Sequence, residues 1–133
     1  MSTVHANSPR DALHRLETMV LMAGYDLPVR AIRQQVSSAL DLIVHLSRYE
    51  DGSRRISHIT EVQRMESDVI TLQELFEFKL ESIAADRTIT GGVKPTGLRP
   101  MFLQKFEKHG IDLPAHMFGT RPSGLEDITR GTR

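Results

Sequence analysis

Cysteine and tryptophan are both absent from the 133 residues. No cysteine means no disulfide and no thiolate metal site, and it fits a reducing compartment. Aromatic residues make up 5% of the chain, which leaves a nucleic-acid binder without stacking platforms behind its scattered arginines. Neither sign of charge dominates. The 17 Lys and Arg balance 17 Asp and Glu, so no global field draws the chain to nucleic acid or to an acidic surface. No apolar run approaches the length of a membrane span, and the N-terminus lacks a signal-peptide pattern. These absences predict one soluble cytosolic domain or part of one, reaching a membrane only through a partner. Also missing is the phosphate-loop pattern G-x-x-x-x-G-K-[ST]. No Gly-Lys dipeptide occurs, and Gly91-Gly92-Val93-Lys94 lacks the Gly-Lys-Ser/Thr core. No apolar strand ends in Asp-Glu to hold magnesium, and no G-x-S-x-G elbow frames a nucleophile.

What is present begins at S-T-V-H-A-N-S-P-R-D, Ser2 to Asp11. The pattern predicts a short strand from Ser2 to Ala6, a turn, and a helix start. Ser8 suits the N-cap, Pro9 the first turn, and Asp11 stands three residues after the cap. Helix one is expected from about Pro9 to Ala23, with Ala12, Leu13, Leu16, Met19, Val20 and Ala23 forming one stripe and Gly24 ending it. A second helix opens at Pro28 and carries Val29, Ile32, Val36, Ala39 and Leu40 on one face. Each helix of this hairpin has one apolar face, which calls for a sheet to cover.

Leu42 to Tyr49 predicts a strand, apolar at every position in its first half and therefore expected to be buried on both faces there. Asp51-Gly52 is a strong hairpin signal. With those two residues as the loop, Val44 faces Ile59, His45 faces His58, Ile43 faces Thr60 and Arg48 faces Arg55. Opposed arginines are unfavourable, so that pair should splay into solvent or share an anion. After a turn at Met65 to Asp68, a third strand is expected from Val69 to about Phe78, completing a three-stranded antiparallel meander. From Glu81 to Gly97 the periodicity stops, and Gly91, Gly92, Pro95 and Gly97 predict a mobile loop. Pro100 opens a last helix with Met101, Phe102, Leu103 and Phe106 on its apolar side and Gly110 past its end. Leu113, Met117 and Phe118 are placed to tuck back onto a core. The composition beyond Gly119 predicts disorder.

His5 is the first candidate for chemistry. It falls at the end of the expected strand and just before a helix N-terminus, the edge where open α/β sheets bind ligands. Taken alone, a histidine there is more often simply packed or exposed. Arg10, Arg15, Arg30 and Arg33 have the reach of arginine fingers, although a solvated helix face accounts for each. The six histidines show no helical ligand spacing. Only His45 and His58 are placed to converge, and two histidines make a poor metal site. Nothing pairs Glu50, Asp51, Glu61 and Glu66 for acid–base work. No metal site is expected.

A set of collinear motifs goes further. Thr3 to Glu17 (T-V-H-A-N-S-P-R-D-A-L-H-R-L-E) resembles the segment that ends the His box of the type II/IV secretion ATPase superfamily. Leu27 to Val36, Asp41 to His45, Asp51 to Arg55, Ile59 to Val62, Asp68 to Gln73 and Thr96 to Leu103 follow in the same order. The chain resembles most the CpaF-type ATPases of tight-adherence pili, over nearly all of residues 2 to 118. The resemblance implies an α/β fold, the C-terminal portion of a RecA-like P-loop ATPase domain. That portion comprises one strand, a helical hairpin, a three-stranded antiparallel meander and a C-terminal helix. It divides the chain into a partial RecA-like domain over 1–80, a flexible loop over 81–97, a C-terminal helix and docking segment over 98–118, and a disordered tail over 119–133.

Functionally, the resemblance implies a segment of a hexameric ring that couples ATP hydrolysis to pilus assembly or protein secretion. The ring would be cytoplasmic and peripheral at the inner membrane, through platform proteins. His5 matches the His-box histidine that senses the γ-phosphate, a catalytic and nucleotide-binding role, and Thr3 matches a family hydroxyl at the nucleotide. A β-branched strand residue accounts for Thr3 equally well. ATP and Mg2+ belong to the intact family protein. The family places its phosphate loop, its acidic strand and the first glycine and histidine of its His box upstream of the equivalent of Ser2. This chain alone is therefore expected to bind no cofactor and to be inactive, and no nucleic acid or membrane insertion is expected. The alternative is a non-enzymatic module that docks on a full-length secretion ATPase or a platform protein.

Overall fold

In a computed structural model describing residues 1–120, the order is α1 (Pro9–Met22), α2 (Val29–Ala39), β1 (Leu42–Arg48), β2 (Arg54–Glu66), β3 (Val69–Ile83), β4 (Ile89–Pro95) and α3 (Leu103–Lys108), then a 3-10 turn at Ala115–Phe118. The chain is α/β. Its four strands form one antiparallel sheet in the order β1-β2-β3-β4.

Helix α1 starts as its sequence dictates. Ser8 is extended at the N-cap and its hydroxyl accepts from Asp11 N–H at 3.0 Å, while the Asp11 carboxylate accepts from Asn7 N–H at 2.8 Å. Such a cap is worth about 1 kcal/mol. Gly24 lies past the helix end at φ +80 and lets the chain turn back into α2. The α1–α2 pair covers one face of the sheet. Leu13, Val62 and Ile70 are buried there, with Val36, Leu40, Ile43, Met65 and Leu72 against them. The opposite face carries the C-terminal segment: the Phe118 ring sits 6.1 Å from that of Phe76, and Phe102 N–H donates to Glu61 Oε2 at 3.2 Å.

The β1–β2 register begins as the turn chemistry predicts, with Ile43 opposite Thr60, Val44 opposite Ile59 and His45 opposite His58. Then it slips. Ser57 is an extra residue on β2, so Leu46 faces Ile56 and Arg48 faces Arg54, not Arg55. The slip exchanges one opposed arginine for another: Arg48 and Arg54 are both exposed to solvent, and Arg55 is released from the pair. Arg55 sits opposite Ser47, lies 5.7 Å over the Phe78 ring and donates to Ile89 O at 2.8 Å.

Several expectations are corrected. Ser2 to Ala6 is not a strand. A strand exists only by pairing, and no neighbouring strand lies beside this segment. Residues 81–97 are not a patternless loop, because β3 runs on to Ile83 and β4 pairs with it from Phe76–Pro95 to Ile83–Ile89. The meander therefore has four strands, not three. Gly91, one of the residues that suggested a loop, permits this pairing. A Cβ at Gly91 would collide with Lys79 O and the Phe78 ring. Pro95 closes an edge strand, where its missing N–H costs nothing. The first half of β1 is not buried on both faces, since Leu42 and Val44 are 42% and 49% exposed. The last helix starts at Leu103, three residues after Pro100. Of the tail expected to be disordered, residues 121–133 lie outside the described residues.

Candidate functional site

Thr3 and His5 lie in an exposed segment, outside any helix or strand, that leads into α1. Neither makes a hydrogen bond to the rest of the described residues. The segment is held at Ala6, whose carbonyl oxygen lies 3.2 Å from His45 Nε2 on β1. His45 is half-buried and its other ring nitrogen, Nδ1, is 2.8 Å from the Ser57 hydroxyl. Ser57 is 3% exposed, and its oxygen also lies 3.0 Å from His58 Nδ1 and 3.1 Å from Ser47 Oγ. His45 and His58 thus converge, as their register predicts, with ring centroids 6.0 Å apart. Both direct Nδ1 at one serine, the arrangement of a hydrogen-bonded cluster and not of a shared cation. His58 Nε2 faces Glu74 Oε2 at 3.8 Å, which closes the cluster on β3. Among the described residues, no group of three or more histidines and carboxylates could hold a metal ion.

The arginines proposed as fingers are engaged within the fold. Arg33 grips Glu17 through two contacts of 3.0 and 3.2 Å and donates to Asp68 O at 2.8 Å. The Glu17 hydrogen bond raises the Arg33 pKa further above its usual range. Arg10 donates to Ile70 O at 3.0 Å, Arg15 pairs with Asp11, and Arg30 lies 3.4 Å from Asp68.

The N-terminus of α1 next to His5 is a potential anion site in general physical terms, with free N–H groups and the positive end of the helix dipole. Here Asp11 already fills that role. The Asn7 N–H, followed by Arg15, holds its carboxyl below the ordinary carboxylate range. The residues around His5 therefore do not form a phosphate cradle. No glycine-rich loop or lysine accompanies them, and an acidic side chain sits where a phosphate would be drawn.

An open cleft of about 660 Å³ lies elsewhere, between the end of α2, the start of β1, the far half of β2 and α3. Arg30, Asp41, Glu61, Arg64 and Lys105 line it. Lys105 pairs with Asp41 at 3.4 Å, and buried Glu61 accepts from Gln63 and from Phe102 N–H. Its charges are mostly spoken for, and neither Thr3 nor His5 reaches it.

Sequence reasoning missed Ser57 and the fixing of the N-terminal segment by His45. The only hint was the facing of His45 and His58 across the hairpin. Nothing in the sequence marks Ser57 as the extra residue.

No family model matches the chain. Two proteins of Mycobacterium tuberculosis, from strains CDC 1551 / Oshkosh and ATCC 25618 / H37Rv, each bear the name "Putative conjugal transfer protein". Both are 31% identical to this chain over 67 residues. The match covers 50% of this chain and 18% of each relative. No helix among the described residues is long and apolar enough to cross a membrane.

Proposed function

We propose that this chain is the C-terminal segment of a RecA-like secretion or pilus-assembly ATPase of the CpaF type, working in a hexameric ring. The observation that carries the reading is the collinear run of family motifs from Thr3 to Leu103. The 31% identity to conjugal transfer proteins over half the chain supports it. One feature of the fold also fits. Strand β1 is an open edge, and Leu42, Val44 and Leu46 on it are 42%, 49% and 60% exposed. Such a bare edge is what a sheet presents where further strands of a larger domain continue it.

In this reading the nucleotide is bound mainly by parts of the intact protein outside this chain, and ATP with Mg2+ supplies the phosphoryl group that is transferred. The chain contributes His5, whose imidazole can donate a hydrogen bond to a phosphate, and the Thr3 hydroxyl beside it. The ring would act at the cytoplasmic side of the inner membrane, through a platform protein. A second reading is a stand-alone docking module. It draws support from the exposed apolar tip of the helical hairpin, where Met19, Met22 and Tyr25 are 57%, 81% and 67% exposed.

Calorimetry with ATP and Mg2+ separates the two. The 133-residue chain should show no binding, and a version extended upstream through a phosphate loop should bind. Micromolar binding by the short chain would overturn the argument from the missing loop. No binding by the extended version would favour the docking module.

A further inference from the structure

The peptide unit joining Ala6 to Asn7 is gripped at both ends. Its carbonyl oxygen faces His45 Nε2 at 3.2 Å, and its N–H donates to the Asp11 carboxylate at 2.8 Å. The second grip is local and belongs to the cap of α1. The first crosses 39 residues to the sheet. It is the one hydrogen bond among the described residues by which the segment before α1 is tied to a strand.

The protons in the cluster follow from the inventory of donors and acceptors. A carbonyl oxygen can only accept, so His45 Nε2 carries the hydrogen, and in the neutral imidazole Nδ1 then carries a lone pair. Nδ1 then accepts from Ser57. That hydroxyl has one proton, and of the ring nitrogens and carbonyl in reach His45 Nδ1 is nearest at 2.8 Å, against 3.0 Å to His58 Nδ1 and 3.1 Å to His45 O, so the shortest contact takes it. The Ser57 oxygen accepts in turn from Ser47 at 3.1 Å, and His58 Nδ1 lies 3.0 Å from it. Ser57 can serve this way only because the bulge places it as the extra residue opposite His45. The register slip and the orientation of the imidazole are thus one device.

We propose that His45 is a positioning residue: held in a single tautomer by Ser57, it fixes the Thr3–Asn7 segment to the β1–β2 bulge and so sets where His5 stands. The consequence for a nucleotide rests on the ATPase reading. A displacement of His5 by a bound phosphate would pull on the Ala6 carbonyl and reach the hairpin through His45. The latch itself does not depend on that reading.

The test is nucleotide-free NMR on the full 133-residue chain. The imidazole 15N shifts of His45 should show a protonated Nε2 and a bare Nδ1. In His45→Phe, which keeps a ring and loses both nitrogens, the Asn7 amide should exchange about 3- to 10-fold faster. The His5 ring resonances should move to those of an unstructured peptide, and the amides of β2 and β3 should keep their protection. His45→Gln, which restores a side-chain N–H, should recover part of the Asn7 protection; a residue that only fills space would not be rescued this way. The opposite tautomer, or unchanged exchange at Asn7 in His45→Phe, overturns the proposal. If His45→Phe does not fold, the wild-type tautomer and the milder Ser57→Ala variant decide, the latter expected to lower the Nε2-protonated fraction and the Asn7 protection together, with no change in either overturning the proposal. Because no nucleotide is present, these outcomes are independent of the calorimetric test of the ATPase reading.

Discussion

At one edge of the sheet β4 reads I-T-G-G-V-K-P, and at the other β1 reads L-I-V-H-L-S-R. The first carries a lysine, a proline and two glycines, the residues that discourage a second strand from adding. The second has none of these, and three of its apolar side chains stand exposed on one face. Both strands pair with only one neighbour, so backbone geometry alone does not separate them. The side chains do. The β4 edge is finished as a boundary with water. The β1 edge lacks that finish and leaves Leu42, Val44 and Leu46 exposed.

The largest effect that would sharpen this contrast is expected at β4. Gly91→Val puts a side chain into Lys79 O and Phe78, at a cost of about 1–3 kcal/mol. Denaturant titration should register the loss. Hydrogen exchange should show it at the amides of Ile89–Pro95, with those of Leu42–Arg48 spared. Equal loss at both edges would mean that the sheet is one cooperative unit with no separable β4.

A smaller effect on stability, with a larger one on association, is expected at β1. Val44→Lys gives that edge the protection β4 already has. Stability should change by no more than about 0.5 kcal/mol, while self-association in sedimentation experiments should fall. A wild-type chain that stays monomeric at every concentration tested would break the comparison, since the bare edge would then attract nothing.

The smallest effect concerns Asp51, which ties the two edges together at one end of the sheet. Its carboxylate accepts from Ser53, from Ile89 N–H at 3.2 Å and from Arg55 at 3.4 Å. The Ser53 hydrogen bonds, above all, lower its pKa from 3.8 to about 2. A lowered folded-state value means that the unfolded chain takes up the proton first. The stabilisation is therefore complete above pH 3.8 and is lost as pH falls towards about 2. Carboxyl 13C shifts should titrate with a midpoint near 2, and Asp51→Asn should remove this part of the acid dependence. An ordinary midpoint would show that the Ser53 hydrogen bonds to Asp51 are not made.

Much of the fold was legible because its signals are local. Ser8, Pro9 and Asp11 start α1, Gly24 ends it, and Asp51-Gly52 sets the first pairs of the hairpin. The failures have one physical source, which is that a strand is defined by its neighbour. Ile89–Pro95 looked like a loop because Gly91 and Pro95 break structure when considered alone, yet Gly91 is what lets β4 approach Phe78. Ser2–Ala6 looked like a strand because its composition suits one, but no strand lies beside it. The site followed the same division. The motif proposes His5 without a contact in the fold to bear on it, whereas the register correctly brings His45 and His58 together. The role of Ser57 depends on a one-residue slip that no spacing announces.

By itself, then, the sequence determined the extent of α1 and α2 to within a residue, the hairpin turn and the absence of a phosphate loop, each a matter of a few adjacent side chains and their backbone. Only the tertiary structure decided that the sheet has a fourth strand, that β1 is left bare, and that Ala6 is tied to His45. Those depend on which distant backbone groups find partners, and hydrogen bonding between strands is settled in space, not along the chain.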